Sequence, residues 1–275
     1  MTPRVLTAAL VLAGVAAGLA FPLTARAAGI PPERQREILR RGLDAFDEAV
    51  RVAQQRAAEA EELYREARNA FAALRDAGVR NAALEYNLGN THFRLGDLGR
   101  AILHYRRAER LEPSNERVRE NLEYARRQVE PLIEPAGQAR LWRDLAFVHY
   151  RTSMHGRAWA AGGLTILGWL LLIVRLRWPA RSLAVAGVIG VLLGLSLAGS
   201  VAWQTREEGQ WPPAVVVGEP VVLRLGWGEG SDPALKQPLG PGVELWVLHE
   251  RGGWVEVRLP NNQTGWLPAV AVERV

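Results

Sequence analysis

The chain has 275 residues, with 34 lysines and arginines against 29 acidic residues for a net charge of +5, and it contains no cysteine. That composition excludes a disulfide framework, a thiolate nucleophile and a cysteine-bound metal. The small surplus, carried by arginines interleaved with Glu and Asp as solvated helix faces, excludes the basic stripe of a nucleic-acid binder.

The N-terminus, "MTPRVLTAALVLAGVAAGLAFPLTARAAG", places Arg4 before an apolar run from Val5 to Ala20, then Pro22 and Ala25-Arg26-Ala27. This order is that of a secretory signal peptide over residues 1–27, with cleavage after Ala27 or Ala28. An uncleaved anchor is the alternative, because the run almost spans a bilayer. Either reading exports the adjoining helical region.

Residues 33–130 are rich in Ala, Glu, Arg and Leu, with almost no internal Gly or Pro before Gly78, and are expected to be helical. Within "NLGNTHFRLGDLGRA", small residues and aromatics stand at the offsets of a 34-residue helix-turn-helix repeat beginning at Ala82. Leu88 and Gly89 take the small-residue crossing of its first helix. Gly96 falls in the turn, Ala101 at the tight contact of the second helix, and Tyr105, Ala108, Leu111 and Pro113 come after it. The segment resembles a tetratricopeptide repeat, with Glu85 and His92 standing where that motif carries aromatics. His92 is read as a packed substitute for Tyr.

One period earlier, Ala67 and Phe71 match Ala101 and Tyr105, so "LYREARNAFAALRDAG" reads as the second helix of a preceding repeat. Its partner within residues 38–60 lacks the Leu-Gly pair and reads as degenerate. One more helix, with Val118, Leu122 and Ala125 on one face, completes about two repeats and a cap. By the resemblance, Tyr86, Asn90, Phe93, Arg94 and Asn121 are expected to line a protein-binding groove. The plainer reading is that Asn90 and Asn121 only satisfy their neighbours.

Residues 131–156 read as a linker whose "QARLWRDLAFVHYR" lies along a membrane surface as an amphipathic helix. Residues 157–204 hold two uncharged apolar runs, each long enough to span a bilayer, joined by "RLRWPARS" with Arg175, Arg177 and Arg181. By the positive-inside rule this loop is cytoplasmic and both flanking regions lie outside, in agreement with the export signal. Ala186, Gly190, Gly194 and Ala198 recur every fourth residue, a small-residue stripe that packs on the chain's own first span or docks another membrane protein.

From residue 214 to 275 the texture turns to short β-rich runs punctuated by Gly and Pro, with turns at Gly252-Gly253 and Asn261-Asn262, so a small all-β barrel is expected. Gly-Gly-Trp-x-x-Val and then Gly-Trp-Leu resemble the bacterial SH3-like domain, with Trp254 and Trp266 as its surface aromatics. "LRLGWGEGSD" departs from that pattern beside the usual ligand groove.

The fold class expected is therefore multidomain: an all-α repeat domain, a two-helix transmembrane hairpin and a small all-β SH3-like barrel, strung together with no single large core. The five histidines include no His-x-x-x-His pair, and no nucleophile-base pair, phosphate loop or zincin motif appears, so no metal, cofactor or enzymatic activity is expected. The order of segments resembles the repeat protein of aerotolerance (Bat, BatE-like) operons, carried by "YNLGNTHFRLGDLGRAILHYRRAERLEP" and "VLHERGGWVEVRLPNNQTGWLPAVAVE". The resemblance implies a non-catalytic scaffold in the inner membrane of a bacterium, with its domains on the periplasmic side. It implies as partners membrane proteins with von Willebrand A domains and, indirectly, a MoxR-type ATPase. The alternative is an envelope sensor or anchor that holds cell-wall glycan or peptide through the SH3-like domain.

Overall fold

The computed structural model describes residues 30–134, 152 and 154–275. The expected signal peptide and the interfacial helix around Leu141 and Leu145 lie outside these residues. The described chain divides into two compact units, one built on the two long apolar helices and one joining the helical segments before them to the strands after them.

Five helices come first: α1 (Pro32–Val52), α2 (Ala57–Asp76), α3 (Ala82–Arg94), α4 (Leu98–Leu111) and α5 (Glu116–Arg126). Local chemistry sets their ends. Pro32 opens α1, where the missing N–H costs nothing. The side chains of Asn81, Asp97 and Asn115 accept the amides of Leu84, Arg100 and Val118 at the starts of α3, α4 and α5. Gly78 and Gly96, with φ of 87° and 77°, turn the chain out of α2 and α3 in a left-handed conformation that side chains resist.

Each of the first two helix pairs closes on a glycine against an aromatic ring. A Cβ on Gly89 would lie 2.5 Å from the Tyr105 ring, and one on Gly42 would lie 2.7 Å from the Phe71 ring. Ala67 and Ala101, both fully buried, occupy the matching contacts of α2 and α4. The first hairpin thus has its close crossing after all, made by Arg41-Gly42 and not by a Leu-Gly pair. Phe71 and Tyr105 stand 34 residues apart but Gly42 and Gly89 stand 47 apart. The longer α1 and α2 stretch the interval, which is why a fixed period passes over Gly42.

The strands β1 (Pro213–Val216), β2 (Glu244–Arg251), β3 (Trp254–Arg258), β4 (Thr264–Pro268) and β5 (Val272–Arg274) form one antiparallel sheet in the order β4-β3-β2-β1-β5. The turns fall where Gly252, Gly253 and Asn262 take positive φ. The expected barrel does not close: β4 and β5 remain outer strands. Beyond β4 the chain adds only a bridge, in which Arg224 and Trp266 exchange backbone hydrogen bonds of 3.0 and 2.8 Å.

The expectation of no shared core is corrected by the packing of this sheet on the helices. Ala101, Ile102, Leu103, Tyr105, Leu122, Ala125 and Val129 belong to the same buried cluster as Val215, Leu223, Leu239, Leu245, Val257 and Leu267. The approach is tight: a Cβ on Gly99 of α4 would meet the Val216 carbonyl oxygen at 2.7 Å, and one on Gly242 would meet Ile102 at 2.7 Å. Around the seam, Arg126 grips Glu244 through two nitrogens at 2.7 and 3.0 Å, and Arg106 reaches the same carboxylate at 2.8 Å. Arg100 pairs with Glu273, Arg107 donates to the Arg274 carbonyl, and the Gly240 amide donates to the Glu130 carbonyl. An apolar centre edged by the forked Arg126–Glu244 pair and by the ion pairs of Arg106 and Arg100 fixes orientation as well as affinity.

The other unit contains α6 (Met154–Arg177) and α7 (Arg181–Gln210), two helices long and apolar enough to cross a membrane, with mean hydropathies of 1.7 and 2.2 over their spans. Their facing backbones touch through small residues. A Cβ on Gly187 would strike Leu172 at 2.8 Å, one on Gly190 would lie 3.2 Å from Gly168, and one on Gly194 would overlap the Thr165 hydroxyl. Gly190 and Gly194 therefore pack on the chain's own first apolar helix. Ala186 and Ala198 are exposed, because a strict four-residue spacing drifts around a helix of 3.6 residues per turn and carries the ends of the stripe off the contact. Leu substitution at Gly194 is expected to destabilise the hairpin by about 1–3 kcal/mol, read as a lower midpoint of SDS-induced unfolding. Leu at Gly199, where no atom lies within 4 Å of a Cβ, leaves the midpoint unchanged.

Candidate functional site

The common glycine-aromatic crossing puts α1 and α3 in one helical phase, so residues at equal offsets from Gly42 and Gly89 share a face. Leu39 and Tyr86 stand three residues before, Leu43 and Asn90 one after, Phe46 and Phe93 four after, and Asp47 and Arg94 five after. On α5 the same face continues with Asn121 and Tyr124. The sheet packs through α4 and the end of α5, and this face lies on the other first helices.

Three of the five expected groove residues meet in one hydrogen-bonded web. Asn121 Nδ2 donates to Asn90 Oδ1 at 2.9 Å and lies 3.1 Å from the Tyr86 hydroxyl, and the Tyr105 hydroxyl donates to Asn90 Oδ1 at 2.8 Å. Burial, with the nearby Tyr86, raises the Tyr105 hydroxyl far above its ordinary range, so it stays a donor. Asn90 is thereby spent on its neighbours, tying α3 to α4 and α5 and forming a floor. Phe93 and Arg94 stand beside it. The Phe93 ring packs on Tyr124 at 5.6 Å with its plane tilted by 60°, and Arg94 is exposed.

Sequence reasoning missed the apolar half of this face. Leu39, Leu43, Val50 and Tyr124 are 37, 39, 44 and 54% exposed. Leu39, Leu43 and Val50, four and seven residues apart, fall on one face of α1, and Tyr124 lies on α5 against Phe93. Registering the helices on Gly42 in place of a fixed period would have found them.

Comparison of the chain with protein-family models, with curated proteins and with solved structures found no match. The functional reading therefore rests on the residues themselves.

Behind the groove floor, where α3 meets α2 and α4, lies a second polar group. His104 Nδ1 donates to Glu85 Oε2 at 2.7 Å with both side chains about 4% exposed, and the His92 ring stacks on His104 at 5.2 Å while its Nδ1 lies 3.1 Å from Asp97. Burial pushes the His104 imidazole below its ordinary value, outweighing the pull of Glu85. Burial works to lift the Glu85 carboxyl, but the His104 hydrogen bond and the charges of Arg107 and Arg75 leave it lowered. Burial opposes ionisation of Asp97 too, yet His92 and the Arg100 amide hold it down to about 2. His92 is thus a packed, hydrogen-bonded side chain. Among the described residues no group of three His, Cys, Asp or Glu side chains is placed to hold a metal.

On the sheet, Val255, Val257 and Leu267 face the core, and Trp254, Arg258 and Trp266 share the opposite face with Trp246, each half-buried. The Arg258 guanidinium lies 4.7 Å from the Trp211 ring centre and 5.6 Å from that of Trp246. In the departing loop, Arg251 covers Trp227 at 4.4 Å. Three tryptophan rings, Trp211, Trp227 and Trp246, thus lie under the chain's own cations.

Proposed function

We propose that the chain is a non-catalytic, membrane-anchored scaffold whose tetratricopeptide-type helices hold a partner protein along the α1-α3-α5 face, with an SH3-like sheet bracing those helices from behind. The observation that carries this reading is the exposure of Leu39, Leu43 and Val50 on one face of α1 and of Tyr124 on α5, whose ring packs on Phe93 beside the Asn90-Asn121 hydrogen bond. Such a surface suits a helix or extended segment with apolar anchors, and Arg94 beside it favours an acidic residue in that segment.

The shared core of helices and sheet adds a topological support. Segments on either side of the α6-α7 pair pack together, and two crossings of a membrane return the chain to the side it left. With the export signal and the arginine-rich loop between the spans, that side is the periplasm of a bacterial inner membrane. The resemblance to the Bat-type repeat protein supplies the partners: membrane proteins with von Willebrand A domains, working beside a MoxR-type ATPase in an envelope complex for stress or oxygen tolerance.

The test is co-purification in mild detergent of the full chain with a co-expressed partner of that type. Leu43→Ala/Phe93→Ala, which leaves the Asn90 web intact, is expected to lower recovery of the partner at least about tenfold, as loss of two apolar anchors does. Undiminished recovery sinks the groove reading.

A further inference from the structure

Five of the chain's ten tryptophans gather on or beside the sheet face turned away from the core. Cross-strand pairing sets Trp246 opposite Arg258, Trp254 opposite Arg251 and Trp266 opposite Glu256, so three rings and two guanidiniums share β2, β3 and β4. Arg258 carries this patch to the Trp211 ring, and Arg251 carries it to that of Trp227. The loop then adds Leu225. Leu225, Trp227 and Trp211 are 67, 52 and 36% exposed. The acids of these strands are already bound, Glu244 by Arg106 and Arg126, Glu250 by Arg274 and Glu256 by His249. Arg224, Arg251 and Arg258, set against the loop acids Glu229 and Asp232, leave the patch close to neutral. Its rings, more than its charge, select what covers it.

Scattered apolar side chains need no cover, but a contiguous set marks a contact surface. The tether of this one narrows the choice of partner. The apolar span of α7 ends at Arg206 and Trp211 follows five residues later, so even a fully extended chain holds that ring within about 18 Å of the end of the span. The head-group layer of a bilayer, about 5–7 Å deep on each side, lies inside that reach. Tryptophan concentrates there because its ring is apolar while its N–H needs an acceptor. Arginine suits the same layer: its stem is apolar, and a guanidinium stacked on a ring still offers its edge to phosphate oxygens. We infer that the tryptophan face of the sheet docks on the head-group layer of the bilayer that α7 crosses, with Leu225 and Trp227 entering deepest. The inference rests on the membrane reading of α6 and α7 and not on the groove.

The chain has no cysteine, so a single introduced thiol can be labelled without background. Thr264 is exposed and stands opposite Arg258 on the patch, whereas Ala58 is exposed on α2 and belongs to no part of it. Each position is changed to Cys in the full chain, labelled with bimane and reconstituted in phosphatidylcholine vesicles in which some lipids carry a nitroxide high on the acyl chain. Bimane at Thr264→Cys is expected to be strongly quenched and bimane at Ala58→Cys much less. Adding Leu225→Ser/Trp227→Ala to the Thr264→Cys chain is expected to lower the ratio of docked to free sheet about tenfold or more, through the apolar area it removes. Both replaced side chains are more than half exposed, so the circular dichroism of the parent is kept and lost quenching is not a folding failure. Flotation of the vesicles after an alkaline carbonate wash reports the spans separately. A chain that does not float overturns the membrane reading and this inference with it. A chain that floats with Thr264→Cys unquenched, with both labels quenched alike, or with quenching indifferent to the loop substitutions overturns this inference alone. Chitohexaose that shifts the Thr264→Cys emission while the nitroxide lipid leaves it untouched assigns the face to a sugar polymer and overturns it too.

Discussion

Replacing Gly99 by valine is expected to prise the sheet from the helices and split one cooperative unfolding transition into two. The Cβ that valine adds would sit 2.7 Å from the Val216 carbonyl oxygen and 3.0 Å from the Val217 Cα. Both are backbone atoms at a paired strand, so neither can swing aside as a side chain would. Overpacking of this kind costs about 1–3 kcal/mol, and here the strain falls on a seam that also holds Gly242 against Ile102. Differential scanning calorimetry of the full chain in detergent checks it. The parent is expected to melt its helices and sheet together, and Gly99→Val to show the sheet melting first. Alanine at Gly78, where a Cβ meets nothing within 4 Å, separates backbone strain from seam packing: it lowers stability without splitting the transition.

The second large effect concerns the buried pair behind the groove floor. Glu85→Ala is expected to destabilise the helical array by about 3 kcal/mol, because it leaves His104 buried with no acceptor and Arg107 and Arg75 with one anion fewer. The intact protein carries the same dependence as a function of pH. His104, Glu85 and Asp97 all have folded-state affinities for the proton below their unfolded values. The unfolded chain therefore binds more protons, and stability rises with pH. The contribution is complete at about pH 7.5 and begins to fall below 6.5, where an unfolded imidazole takes up a proton. It falls further below 4.5 as unfolded Glu85 does so. The Asp97 share disappears as pH drops from 3.8 towards about 2. Urea midpoints measured between about pH 8 and pH 3 are expected to decline monotonically, and Glu85→Ala to flatten the limb between about pH 5 and pH 3. A midpoint that rises on acidification contradicts the assignment.

How far the sequence carried depended on the range of each interaction. The α3-α4 crossing was legible because Leu88, Gly89, Ala101 and Tyr105 lie within one repeat. Strands and turns were legible for the same reason, through alternation and Gly252-Gly253. Gly42 escaped because its partner Phe71 kept the repeat spacing while the helices between them lengthened. The web of Tyr86, Asn90 and Asn121 was half legible: their shared face came from the repeat, but which hydroxyl served which amide depends on the folded geometry. The seam was not legible at all. Arg126 and Glu244 lie 118 residues apart with two apolar spans between them, and no periodicity links a helix face to a strand that far along the chain.

The seam also sets an order on synthesis. Ile102, Leu122 and Val129 are made early, but the strands that cover them leave the ribosome only after both apolar helices. For that interval the helical array waits with its α4 side open and its arginines lacking Glu244 and Glu273. A product cut short after α7 would carry a complete anchor and a complete set of helices, yet present a bare apolar flank to its surroundings. Quality-control proteases that act on such flanks would thus tell finished molecules from unfinished ones by the presence of the last sheet.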